Sequence, residues 1–257
     1  MHKPLALVVC AAFILLRNIS FAQDKLETAL DSDSKKDAKT LVVQSLDGKN
    51  QEIHIMPDYS NNKLRMSCLK DTITDFDFWG VPVETTVLNK QFIEIKYAVR
   101  GGSNIGLRNV IILCIYDNKL CDALHFRSLA TWESGGEDEN YNVKIISLSG
   151  TIKEGFKLIL AIHDHVKSKS DPQTNFDYND QSTLHFDHQK HVFYSIKEYV
   201  FNCYEVTSNP KTGKSHKQKI KGDFPIALLG KERYYFINNN WYESAPNELY
   251  KFSTMSK

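Results

Sequence analysis

The chain has 257 residues, with 32 Lys and Arg against 31 Asp and Glu and a formal net charge of +1 at pH 7. That balance gives no electrostatic footprint for nucleic acid or for anionic membrane surfaces. The length is enough to bury a sizeable core without metals or disulfides, and all-β domains of ~200–250 residues often form one unit.

Lys3 and Arg17 bracket an apolar run from Leu5 to Leu16, which is short of the ~20 residues needed to span a bilayer. Ser20-Phe21-Ala22 places small residues two apart, ahead of polar Gln23-Asp24-Lys25. This is the pattern of a cleaved secretory signal peptide over 1–22, with an uncleaved anchor as the alternative. A lipid anchor at Cys10 is disfavoured, because Val9 rather than a small residue precedes it. The reading predicts a periplasmic or secreted protein with no integral membrane segment after signal cleavage. Lys3 and Arg17 are the only Lys, Arg, Asp or Glu residues in the signal segment, so the remainder is also near neutral. Residues 23–38 read as a flexible polar leader, and 39–257 as a single all-β domain.

Leu41-Val42-Val43 begins the ordered part, and Asp47-Gly48-Lys49-Asn50 turns it back into Gln51 to Ile55. A loop from Pro57 to Asn62 and a strand from Leu64 to Leu69 follow. Asp75-Phe76-Asp77-Phe78-Trp79 then alternates acids with aromatics, which predicts acids toward water and aromatics toward a core.

The stretch from Gln91 to Arg127 organises the rest. Ile93, Ile95, Tyr97 and Val99 form one apolar parity of a half-buried strand, and Gly101-Gly102 marks a bend. Val110 to Ile115 is apolar on both parities, as a strand buried on both faces requires. Asp117-Asn118 predicts a two-residue hairpin loop.

Farther on, Gly135 to Asn140 reads as an acidic surface loop. Val143 to Leu148 and Phe156 to Val166 read as strands around Gly150. Lys167 to Gln181 lacks periodicity and reads as a long loop. Thr183 to Asp187, Val192 to Val206, Pro225 to Leu229 and Tyr234 to Ile237 resume strand character, and Asn238-Asn239-Asn240 turns into a last hairpin at Trp241. Short strands with frequent turn signals predict an antiparallel multi-stranded meander, sandwich or barrel-like fold.

Four cysteines follow the signal segment, Cys68, Cys114, Cys121 and Cys203. Export permits pairing, and three connectivities stay open. A two-residue hairpin loop sets Cys114 opposite Cys121, where Cβ atoms ~4.5–5.5 Å apart allow only a strained bridge. Two buried thiols are the alternative.

Five histidines are the metal candidates. His163 and His165 lie two apart on one strand face, and His185, His188 and His191 follow the long loop. Imidazoles so spaced, joined by a third ligand, are a way to hold zinc with an open position. Asn175-Phe176-Asp177-Tyr178-Asn179-Asp180 resembles the start of a calcium loop, but Asp180 stands where the sharp-turn glycine belongs and Phe186 where the bidentate Glu belongs. Asp75 and Asp77 beside aromatics outline a weak carbohydrate-processing surface. Nucleophile motifs such as Gly-x-Ser-x-Gly are absent. Lys211, Lys214, Lys217, Lys219 and Lys221 read as a solvated arm that protects an edge strand.

The export signal and terminal hairpin are similar to those of secreted proteins of Gram-negative bacteria, a resemblance that brings neither function nor site residues with it. The expectation is an exported non-enzymatic β-domain with a binding or scaffolding role in the bacterial periplasm or outside the cell. Its ligand would be a protein or a carbohydrate. The alternative is a metal-dependent hydrolase built on the histidines around 167–181. A third reading is an interaction protein using Trp79, Trp132 or Trp241.

Overall fold

The computed structural model describes residues 37–79, 83–134, 136–208, 215–245, 248–252 and 254–256, with the backbone alone over 199–208 and 215–222 and at 245, 248, 250 and 254–256. The expected signal peptide and nearly all of the expected leader, the lysine side chains of 211–221 and the side chain of Cys203 lie outside the described residues.

Every strand pairing is antiparallel. The first sheet is a meander of β1 (Lys39–Gln44), β2 (Asn50–Asp58), β3 (Lys63–Cys68) and β4 (Asp71–Asp75). The central sheet runs β5 (Glu84–Leu88), β6 (Phe92–Val99), β7 (Ile105–Tyr116), β8 (Lys119–Ser134), β9 (Glu137–Thr151), β10 (Gly155–Ser168), β11 (Phe176–Asp187) and β12 (Val192–Tyr194). The third holds β13 (Ile196–Ser208), β14 (Ser215–Leu229), β15 (Glu232–Ile237), β16 (Asn240–Ala245) and β17 (Glu248–Lys251). Finally β18 (Thr254–Ser256) returns to pair with β4. A short 3-10 turn at Pro172–Thr174 is the one helical element among the described residues. Among the described residues no sheet closes into a barrel, and no helix is long and apolar enough to cross a membrane.

Turn chemistry sets much of this register. Asn89-Lys90, Asp117-Asn118 and Asn238-Asn239 all have positive φ at both positions, which matches the twist of a two-residue hairpin. The Asp117-Asn118 turn pairs Tyr116 with Lys119, Ile115 with Leu120 and Cys114 with Cys121, as expected. At the other end of β7, a Cβ on Gly101 would stand 2.3 Å from the Ile105 carbonyl oxygen, so the bend requires glycine there.

Burial on both faces extends beyond β7. On β6, Ile93, Ile95, Tyr97 and Val99 pack toward the first sheet, while Phe92 enters a second core; the strand is not half-exposed at its start. Register shifts between β7 and β8 and between β9 and β10 increase local twist and curl the central sheet. Phe92 thereby meets Phe156, Phe186 and Phe193 at ring-centroid distances of 4.9, 5.3 and 5.1 Å, although β11 and β12 lie at the far side of the ladder. Ala227, Leu229, Tyr234, Phe236 and Trp241 of the third sheet close over this core.

Several expected loops are strands instead. Glu137 to Asn140 opens β9 and pairs with β8 across Thr131 to Ser134. Phe176 to Gln181 belongs to β11 and pairs with β10. Both stretches are polar because they form exposed ladder ends, where side chains need no apolar partner. The expected strand from Val192 to Val206 divides at Ser195. Phe193 enters the core, whereas the Ser195 backbone N–H bonds to the Ile226 carbonyl and its Oγ accepts from Leu228 N–H, handing the chain to the third sheet.

Because Phe92 joins three strands that reach it only through the curl, Phe92→Ala should cost about 3–5 kcal/mol in urea unfolding. A loss below about 1 kcal/mol would show that the curled core is not closed.

Candidate functional site

Three turns gather at one end of the molecule. Tyr116, Asp117 and Lys119 come from the β7–β8 hairpin, Gln189 to His191 from the β11–β12 turn, and Asn239 and Asn240 from the β15–β16 turn. With Asp71 and Ile73 of β4 they enclose a cavity of about 490 Å³, whose inner wall includes Leu120, Cys121, Asp122 and Phe236. That is within the ~300–1,000 Å³ of small-molecule sites.

The wall is held by bonds from every layer. Asp71 accepts the Leu120 N–H through Oδ2 at 2.9 Å, pinning the first sheet to the hairpin. The Trp241 indole N–H donates to the Asp122 carbonyl at 2.9 Å, pinning the third sheet to the same strand. The Tyr116 ring lies 4.3 Å from the His191 ring at an interplanar angle of 32°. His191 has φ of 56°, a conformation rare outside glycine and Asn that presents its ring across the turn. Lys190 donates to the Asp223 carbonyl.

Cys121 is the reactive-looking group here. It is partly exposed and lines the cavity, whereas its cross-strand partner Cys114 is fully buried; both are free thiols. A hydrogen bond from Cys114 lowers the Cys121 pKa to about 6 against the opposing effect of burial, with a further contribution from His191. Burial pushes Cys114 well above the usual thiol range. Cys68, also a free thiol, donates to the Asn118 carbonyl at 3.4 Å.

Behind Asp122 is a buried polar group. Tyr97 donates to Asp75 Oδ2 at 2.5 Å, and its oxygen lies 2.8 Å from His125 Nε2. With Asp75 ionised, the one tyrosine proton is spent on the carboxylate, so the imidazole donates through Nε2–H. His125 Nδ1 then faces Asp122 Oδ2 at 3.5 Å and has no hydrogen-bond partner. Phe252 stacks on the imidazole at 4.0 Å. Burial raises the Asp75 pKa above its ordinary value of 3.8, against the lowering effects of His125 and the Tyr97 hydroxyl. Asp75 is thus the acid that faces inward, contrary to the expected alternation; Asp77 is exposed. The two do not form a facing pair of carboxyl groups.

The five metal-candidate histidines fall into two separate groups. His163 pairs across the ladder with Asn179, and His185 with Lys157, which is ~20 Å apart at about 3.4 Å per residue. The reason is that Phe176 to Gln181 is a strand and not a loop that folds the two groups together. His163 stacks with His165 at 6.2 Å and bonds Asp177 at 3.1 Å in solvent. His185 is exposed, His188 caps Phe186 at 5.3 Å, and only His191 reaches the cavity. The calcium-like segment lies on β11, with Asp177 and Asn179 exposed. Among the described residues, no group of three or more His, Cys, Asp or Glu is placed to hold a metal ion. Of the three tryptophans, Trp79 is exposed with Arg100 over its ring at 5.3 Å, Trp132 is exposed, and Trp241 is buried in the core and presents no interaction surface.

The meeting of Cys121 with His191 depends on the sheet curling and was not legible in the sequence. His125 did leave a signal: an ionisable residue between Leu124 and Phe126 in an otherwise apolar run. Compared with known proteins, the chain matches no family model, no curated protein and no solved structure.

Two measurements test the buried group. Tyr97→Phe leaves Asp75 and His125 without their shared hydroxyl and should cost about 1–3 kcal/mol, read by chemical unfolding. Asp75 has a raised folded pKa, so its contribution to stability is complete below 3.8 and is lost as pH rises through the folded value. Asp75→Asn should therefore gain stability relative to wild type over that rise. A difference that is constant from about pH 3 to about pH 7 would contradict the assignment.

Proposed function

We propose that the chain is an exported, non-enzymatic β-protein that binds a small polar ligand in the cavity ringed by the three turns. Export rests on the Lys3–Arg17 apolar segment and the Ser20-Phe21-Ala22 site. The observation that carries the binding reading is the convergence of opposite charges and amides on one concavity. Lys119 supplies an amine, Asp71 and Asp122 supply carboxylates, and Asn239 and Asn240 supply both donors and acceptors. Tyr116 and Phe236 supply apolar walls. Such a lining suits a ligand with donors and acceptors on a compact apolar body, as a sugar or amino-acid derivative has.

Support also comes from how the cavity is fixed. Its walls are tied to the first and third sheets by the Asp71 and Trp241 bonds, so ligand binding meets a preformed shape and a smaller ordering cost.

Thermal unfolding of the purified protein against a collection of small sugars and amino-acid derivatives tests the proposal. A true ligand at 100 times its Kd contributes about 2.7 kcal/mol, a rise of roughly 5–10 °C for a domain of this size. The rise should disappear in Tyr116→Ala and Asn240→Ala. A ligand whose effect survives both substitutions binds elsewhere and would overturn the proposal.

A further inference from the structure

We propose that Cys121 is a thiol-modification site that exchanges with small disulfides entering the cavity, with Cys114 as the resolving thiol. This goes beyond the ligand-binding reading and stands whether or not the cavity takes a polar ligand.

The geometry has three parts. Cys114 and Cys121 are directly opposed across the β7–β8 ladder, so their side chains share one sheet face and a bond between them needs no change of register. Their exposure differs: Cys121 lines the cavity and is open to a reagent, while Cys114 is fully buried in the core opposite it. His191 stands beside Cys121, held in place by the Tyr116 ring. A partly exposed thiol next to an imidazole, with a second thiol behind it, has the elements that thiol exchange requires.

The chemistry balances with a small organic disulfide as oxidant. The Cys121 thiolate attacks one sulfur of the disulfide, forming a mixed disulfide and releasing one thiolate, which takes up a proton from solvent. The Cys114 thiol then gives up its proton and attacks Cys121 Sγ. The Cys114–Cys121 bond forms, the mixed disulfide breaks, and a second thiol leaves with that proton. Two cysteines are oxidised to one cystine while one disulfide is reduced to two thiols. Opposed strand positions hold Cβ atoms somewhat farther apart than an unstrained disulfide prefers, which makes the product reducible and the exchange reversible.

Oxidised glutathione is the probe. In the full-length mature protein it should convert Cys114 and Cys121 to a cystine, seen by peptide mapping, which dithiothreitol reverses. In Cys114→Ala a stable glutathione adduct should accumulate on Cys121. In Cys121→Ala, Cys114 should stay free. His191→Ala should slow the reaction of Cys121 at neutral pH at least several-fold without changing the position modified. Competition between Cys121 and Cys68 for iodoacetamide in the wild-type protein provides a readout that needs no substitution, and Cys121 should label first. Preferential labelling of Cys68, a bond that maps to Cys68 or Cys203, or no adduct on Cys121 in a folded Cys114→Ala protein would each overturn the proposal.

Discussion

The structure depends on β7 being apolar on both faces from Val110 to Ile115. A strand of that kind cannot sit at a surface, so both sides of the sheet must be covered. The first sheet covers one side through Ile53, Ile55, Leu64, Met66 and Ile73. On the other side the central sheet curls on itself and is closed by the third sheet. Two large cores therefore lie on opposite faces of β6, β7 and the start of β8, with a smaller cluster of Phe224, Ile226, Tyr235 and Ile237 in the third sheet, and the Asp117-Asn118 turn lies at one end of both large cores. A cavity at that end follows from the arrangement, because the three turns meet there without a strand to fill the space.

The buried Asp75–Tyr97–His125 group belongs to the same constraint. It spans β4, β6 and β8 and carries Phe252 on its outer side, so it joins the first sheet to the central one and touches the segment leading to β18. A polar group in that position costs more than an apolar substitute unless each partner is satisfied. The unpaired Nδ1 of His125, close to Asp122 on the cavity wall, is the one place where the group faces the candidate site.

Local patterns carried much of the fold. The double-sided apolar run of β7, the Asp117-Asn118 turn and the Cys114–Cys121 register could all be read from adjacent residues, since they depend on strand parity and turn chemistry alone. What failed were polar ladder ends. Glu137 to Asn140 and Phe176 to Gln181 look like loops because their side chains meet water on the exposed ends of long strands, and only backbone pairing makes them strands. That misreading also misplaced the site: a loop at 167–181 would have joined the histidine groups, whereas a strand holds them apart. His191 does reach the cavity, but beside a thiol 70 residues earlier in the chain, a contact that only the curl of the sheet creates.

The central claim is that the turn-ringed cavity is the functional site. Crystals of the protein soaked with a collection of small polar fragments test it most directly. The account predicts ordered fragments against Tyr116, His191 and Asn240, with Cys121 at the inner wall. Fragments that gather at other surfaces while this cavity holds only water would contradict it.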